Sequence, residues 1–275
     1  MSLLWAGLIV VAAMGIAITA MLLVRRIAPE GSYFQDGDRA SGVFGVLATG
    51  FAVLLGFVVF LAFESFDTSR SGAEAEAELV FQQFETAQLM PPGARVALSG
   101  ELVCYARTVV HDEWARMESG TLRDSFNPWG LRMFRTVQAV DPKSASEQAA
   151  FSKWLDLRAD REVARNDRTH GAEGVIPATL WIVLFISAAV LFIFMLYFAD
   201  PTEHWFVQAT MMGGVVLVIS STMLLLVFLD QPFHRGVGGL RPVAMERTLR
   251  ALDGVGIQAA GRFRIPCDVS GVPAV

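Results

Sequence analysis

Several things are scarce in this sequence, and each scarcity narrows its function. It has two cysteines, Cys104 and Cys267, far apart in the chain. So placed, they form neither a disulfide framework nor a metal spacing, and they read as unrelated thiols. It has no basic surplus: the net charge of −5 argues against a nucleic-acid partner, since a phosphate backbone calls for a basic face. His111, His170, His204 and His234 fall in no ligand spacing. In His111-Asp112-Glu113, neighbouring helical side chains point about 100° apart and do not converge on one ion or proton. There is no nucleophile elbow, no Walker loop and no glycine fingerprint after a strand, so nothing points to an enzyme, a cofactor or a bound metal. Residues 64–174 show no convincing apolar-polar alternation, which excludes a β-rich domain there.

What is present is hydrophobic length. The chain is 53% hydrophobic and 18% charged, with a mean hydropathy of +0.47, the profile of a membrane protein. Four apolar runs, at about 2–24, 41–63, 175–198 and 205–229, are each long enough to cross a hydrocarbon core of about 30 Å as a helix. The first begins MSLLWAG, without the basic start of a signal peptide, and reads as an uncleaved span. Pro177 stands in the first turn of the third, where proline is tolerated. Trp181, Tyr197 and Trp205 suit the interfacial belt. Ser220, Ser221 and Thr222, mid-way along the fourth, suit backbone or inter-helix hydrogen bonds.

The second run carries the argument. Nothing breaks the helix after Phe63: Glu64 to Arg70 follow, then Gly72, where a bend is expected, then AEAEAELVFQQFETAQLM up to Pro91-Pro92. One helix is therefore expected to run out of the membrane into water. The 3.6 period puts Gly42, Gly45, Thr49, Ala52 and Gly56 on one face, followed by Phe60 and Phe63, then Asp67, Arg70, Glu74, Glu78 and Glu85. Small residues in such a row let another helix approach closely. The same row can line a pore, with Phe60 and Phe63 as a hydrophobic constriction.

The chain thus divides into spans one and two (1–64), a helical insertion (65–174), spans three and four (175–232) and a loosely structured tail (233–275). In the insertion, helices are expected over 93–118, 129–140 and 144–170, and in the tail over 245–252. Four spans put the insertion and the tail on one side. Arg70, Arg158, Arg161, Arg165, Arg168, Arg235 and Arg241 on that side outnumber Arg25, Arg26 and Arg39 on the other, which predicts a cytoplasmic insertion and tail.

Arg158, Arg161, Arg165 and Arg168 follow steps of three and four, as do Glu74, Glu78 and Glu85. Two such stripes either pair across neighbouring helices or, in the case of the arginines, line a vestibule that concentrates anions. Glu64, Asp67 and Asp230 sit at the membrane edge, where solvation, pairing or cation contact are the options.

The runs GVFGVLATGFAVLLGFVVFLAFESFDTSRSGAEAEA, YARTVVHDEWARM, IPATLWIVL and LDQPFHRGV resemble the bacterial bestrophin-like domain family. The resemblance spans most of residues 42–242. It implies four transmembrane helices with a helical insertion, and it makes Glu113-Trp114 and Pro232-Phe233 family markers. The family name further suggests kinship to bestrophins, pentameric anion channels with cytoplasmic termini. The acidic run that binds calcium in animal bestrophins is absent. The expectation is an all-α, multi-pass protein of the bacterial plasma membrane acting as a homo-oligomeric channel for anions. The rival expectation is a non-conducting scaffold whose insertion binds a protein partner.

Overall fold

A computed structural model describes residues 3–121, 127–258 and 264–274; Ser2, the first residue of the first expected span, lies outside them. Among the described residues there is no strand, only an isolated antiparallel bridge between Cys267 and Pro273. The helices are α1 (Leu3–Ile27), α2 (Gly37–Ala87), α3 (Pro92–Thr108), α4 (Trp114–Glu118), α5 (Pro128–Gln138), α6 (Ala145–His170), α7 (Ala178–Leu196), α8 (Trp205–Asp230) and α9 (Val243–Gln258), with a π-helical turn at Val109–Glu113. α1, α2, α7 and α8 are long and apolar enough to cross a membrane. The expected helix over 93–118 is divided by the π turn.

Among the described residues, those within 1–64, 175–230 and 236–238 form one compact unit and the others form a second. The membrane unit is held by two apolar clusters. In one, Phe51, Leu55, Val58 and Ala62 of α2 pack with Leu184 and Leu191 of α7 and Met223 and Leu226 of α8. In the other, Ala17 and Met21 of α1 meet Ala209 and Met212 of α8. Gly213 lets α1 in: a Cβ there would stand 3.3 Å from Ile18 Cδ1. Outward faces carry bulk suited to acyl chains: Leu4, Leu8, Val11 and Ile16 on α1, and Ile182, Phe185, Ile186 and Ile193 on α7. Ser220 Oγ donates to the Val216 carbonyl (2.6 Å) and Thr222 Oγ1 to that of Val218 (2.8 Å), so both satisfy backbone acceptors within α8.

The second unit is a helical domain around Leu98, Leu102, Tyr105, Trp129, Met133, Trp154 and Leu252. Local signals set its helix starts. Ser144 and Glu147 form a reciprocal capping box on α6. The Asn127 side chain accepts from the Trp129 N–H at the start of α5 (3.1 Å), ahead of Pro128 at the first helical position.

The expectations of a loose tail and of two unrelated thiols are corrected by the fold. α2 continues as one helix through Gly72, and the glycine serves packing: a Cβ there would lie 2.4 Å from the backbone N of Arg168 on α6. The tail is built in. Beyond α9, Cys267 is disulfide-bonded to Cys104 of α3, closing a separation of 163 residues, so the two cysteines are not unrelated thiols. Gly271 has φ +87° and a Cβ there would meet Thr108 Oγ1 at 2.4 Å, so only glycine fits. Its carbonyl accepts from Trp129 Nε1 (2.7 Å), and the Arg107 guanidinium donates to the Asp268 carbonyl (3.0 Å).

Candidate functional site

Along the membrane part of α2, one face is spent inside the unit and a second one is not. Phe51, Leu55, Val58 and Ala62 recur at steps of four, three and four and are buried. Rotated about a third of a turn away, Gly42, Gly45, Thr49, Ala52 and Gly56 are all exposed, beside the exposed and bulkier Val46, Val53 and Phe57. Cβ atoms built on Gly42, Gly45 and Gly56 meet no heavy atom within 4 Å. Phe60 and Phe63 follow on this side, 61% and 54% exposed. Among the described residues, the small-residue row therefore packs on no other helix. It contrasts with the bulky outward faces of α1 and α7, because glycine offers acyl chains little to pack against but lets protein or water come close.

The charged stripes take up different partners from those the spacing suggests. Arg168 is fully buried. Its guanidinium forms a two-pronged ion pair with Glu76, the longer bond from Nη2 to Oε1 at 3.2 Å. Nη2 also donates to Glu113 Oε2 at 2.5 Å. Arg165 Nη2 donates to Glu113 Oε1 at 3.2 Å. The Tyr105 hydroxyl donates to Glu76 Oε1 at 2.5 Å. Arg161, also fully buried, lies over the Tyr105 ring at 4.4 Å and donates to Gln83 Oε1 at 2.9 Å. Arg158 sits over the Phe134 ring at 4.8 Å. Glu74 instead pairs with Arg70, four residues before it (3.3 Å), Glu78 accepts from Gln82 (2.9 Å), and Glu85 is exposed.

The buried charges are opposite in sign and paired, and this governs their protonation. Burial alone would raise the Glu113 carboxyl; the Arg168 and Arg165 guanidiniums outweigh it and hold Glu113 below the usual carboxylate range. Burial, and next the Glu76 charge, push the Tyr105 phenol well up, so it stays a neutral donor. Burial works against the Arg168 charge, but Glu76 and Glu113 prevail and raise its pKa. A network this well paired fixes the packing of α2, α3, the π turn and α6. It leaves Arg161 and Arg168 no freedom to line a vestibule.

At the membrane edge, Asp230 Oδ1 accepts from the backbone N–H groups of Val175 (2.8 Å) and Ile176 (2.9 Å). It caps the approach to α7. Glu64 and Asp67 are exposed.

Glu76 and Glu113 were absent from the expected stripes. A signal for Glu76 exists: Ser65, Ser69, Gly72, Glu76, Val80 and Gln83 recur at steps of three and four, and most are buried, so Glu76 lies on the packed side of α2 and its neighbours Glu74 and Glu78 do not. Glu113 closes the π turn, a register shift of a kind often found at functional sites.

The Bestrophin-like domain profile matches residues 11–244. Several solved structures share the fold. One is a bacterial bestrophin homologue from Klebsiella pneumoniae bearing a point mutation: 15% identity, TM-score 0.65, covering 91% of this chain and 98% of that one. Another, from the same homologue phased on zinc, has 16% identity, TM-score 0.63 and the same coverage. A third, described only as a membrane protein, has 14% identity and TM-score 0.68, covering 89% of this chain and 98% of its own. No curated protein matches the sequence.

Proposed function

From its membership of the Bestrophin-like domain family, we propose that this four-span membrane protein assembles from identical copies into a channel whose conduit is lined by α2. The observation that carries the reading is the unpartnered row Gly42, Gly45, Thr49, Ala52 and Gly56, ending in exposed Phe60 and Phe63. In a symmetric assembly every copy presents the same row toward the axis. A ring of phenylalanines there makes a constriction that gates by excluding water.

The charge beside this row favours cations over the anions expected from the arginines. Arg161 and Arg168 are spent on buried partners, whereas Asp67, Glu74, Glu78 and Glu85 stay exposed on the same helical side with only Arg70 against them. Carboxylates along a conduit select cations.

The test is flux from vesicles holding purified protein under a potassium chloride gradient. Flux above that of empty vesicles is expected, with a reversal potential on the potassium side. Phe60→Ala with Phe63→Ala should raise it about tenfold or more, the effect of removing ~1.4 kcal/mol of barrier. Flux no greater than from empty vesicles, and unchanged in the double variant, overturns the channel. A reversal potential on the chloride side restores the anion reading.

We further propose that the insertion and tail lie on the extracytoplasmic side, opposite to the side expected from the arginines. The charge rule counts basic residues in short loops and near span ends: Arg25, Arg26 and Arg39 flank the short connection from α1 to α2, and Arg70, Arg168, Arg235 and Arg241 stand near span ends on the other side, so it does not decide. The Cys104–Cys267 bond belongs to oxidising compartments. The disulfide favours an extracytoplasmic insertion and tail. Cysteines blocked from alkylation in cells without reductant support this; free, reactive thiols return the insertion to the cytoplasm.

A further inference from the structure

Where α1 and α7 end and α2 and α8 begin, the membrane unit contains a pocket of about 360 Å³. Its wall is apolar and rich in methionine: Met21, Phe44, Met195, Phe198, Met211 and Met212. Methionine walls adapt to irregular aliphatic shapes. Ser41 and Met211, both exposed, also line it, so the pocket opens on the outside of the unit.

Its polar lining is Ser41, Glu203 and Gln208. Gln208 lines the pocket and is 8% exposed. Its amide nitrogen donates to the Asp200 carbonyl (3.1 Å) and to Glu203 Oε2 (3.3 Å). These two acceptors fix the amide orientation. Gln208 Oε1 is then left buried with no hydrogen-bond partner among the described residues, an arrangement that disfavours an empty site. The Glu203 carboxylate lines the same pocket. The one hydroxyl there, Ser41 Oγ, already donates to the Asp38 carbonyl (2.8 Å). The groups left open in the pocket are thus acceptors, the Glu203 carboxylate among them, above an apolar cavity, while Arg25 beside it donates to the Pro201 (3.0 Å) and Glu203 backbone carbonyls; this is the level where a lipid headgroup meets its chains.

We propose that this pocket binds an aminophospholipid of the bilayer, its primary ammonium donating to Gln208 Oε1 and facing the Glu203 carboxylate while its chain lies among the methionines. A trimethylated headgroup keeps the charge but has no N–H to give. An anionic headgroup meets Glu203 unfavourably.

The experiment is titration of the purified full-length protein in neutral detergent with phosphatidylethanolamine, phosphatidylcholine or phosphatidylglycerol of identical acyl chains, with bound lipid counted by native mass spectrometry. Phosphatidylethanolamine should bind about tenfold more tightly than phosphatidylcholine, as one charge-assisted hydrogen bond in an apolar setting provides. Glu203→Gln and Gln208→Leu should each bring that preference within about twofold. Ser41→Trp, a change at an exposed position, should fill the mouth and lower binding of both. Equal binding of the two lipids by the unaltered protein, a preference for phosphatidylglycerol, or a preference that survives all three variants overturns the proposal.

Discussion

Replacing Arg168 by methionine tests the buried network most sharply. The side chain keeps its bulk and loses a charge that holds two carboxylates, Glu76 and Glu113, at full burial. Breaking a buried pair from one side costs about 3–5 kcal/mol, because the remaining charge is stranded. At about 2–4 °C per kcal/mol for a domain of this size, the melting temperature should fall by roughly 6–20 °C at neutral pH. The pH dependence separates charge from packing. In the unaltered protein Glu113 is held low, so its contribution is present above the unfolded carboxylate value of about 4.3 and is lost as pH falls through the folded value. In the variant, burial acts on Glu113 with only Arg165 against it, so its folded pKa rises. The variant then regains stability as pH falls through that raised value, and its deficit should be smaller at pH 5 than at pH 8. Thermal unfolding of both proteins in detergent, followed by near-UV circular dichroism, reads this directly. A fall of less than about 2 °C at neutral pH, or a deficit of the same size at both pH values, refutes the electrostatic account.

Two further outcomes follow from the packing. Gly72→Leu should destabilise the helical unit by about 3 kcal/mol or more, because even a Cβ meets the α6 backbone at 2.4 Å; unchanged denaturant unfolding would contradict that close approach. Asp230→Ala should cost about 1–2 kcal/mol by leaving the Val175 and Ile176 N–H groups without their acceptor, while Asp230→Asn should recover most of it, in the same unfolding measurement.

The four spans were legible because an uncharged run of some 20 residues has few other fates. The continuity of α2 was legible too, since good helix formers follow Phe63 without a break. The packing role of Gly72 was not legible: local propensity cannot show that a glycine admits a neighbour, and the atom that needs the space belongs to Arg168. The arginine stripe was visible as a period, but not its partners. Glu76 stands in an AEAEAE run whose members differ only in the side they face, and Glu113 is brought round by a π turn that leaves no mark in the sequence. The disulfide joins residues 163 positions apart, and nothing short of the fold places them together.

The central claim is that the glycine-bearing side of α2 faces a shared axis and not lipid. The most direct measurement is a structure of the assembled protein in a lipid bilayer, with lipid density visible. The account predicts Gly45, Thr49 and Gly56 around the symmetry axis, narrowing to a ring at Phe60 or Phe63. Acyl chains packed along Gly45, Thr49 and Gly56, or a single copy with no axis, would contradict it.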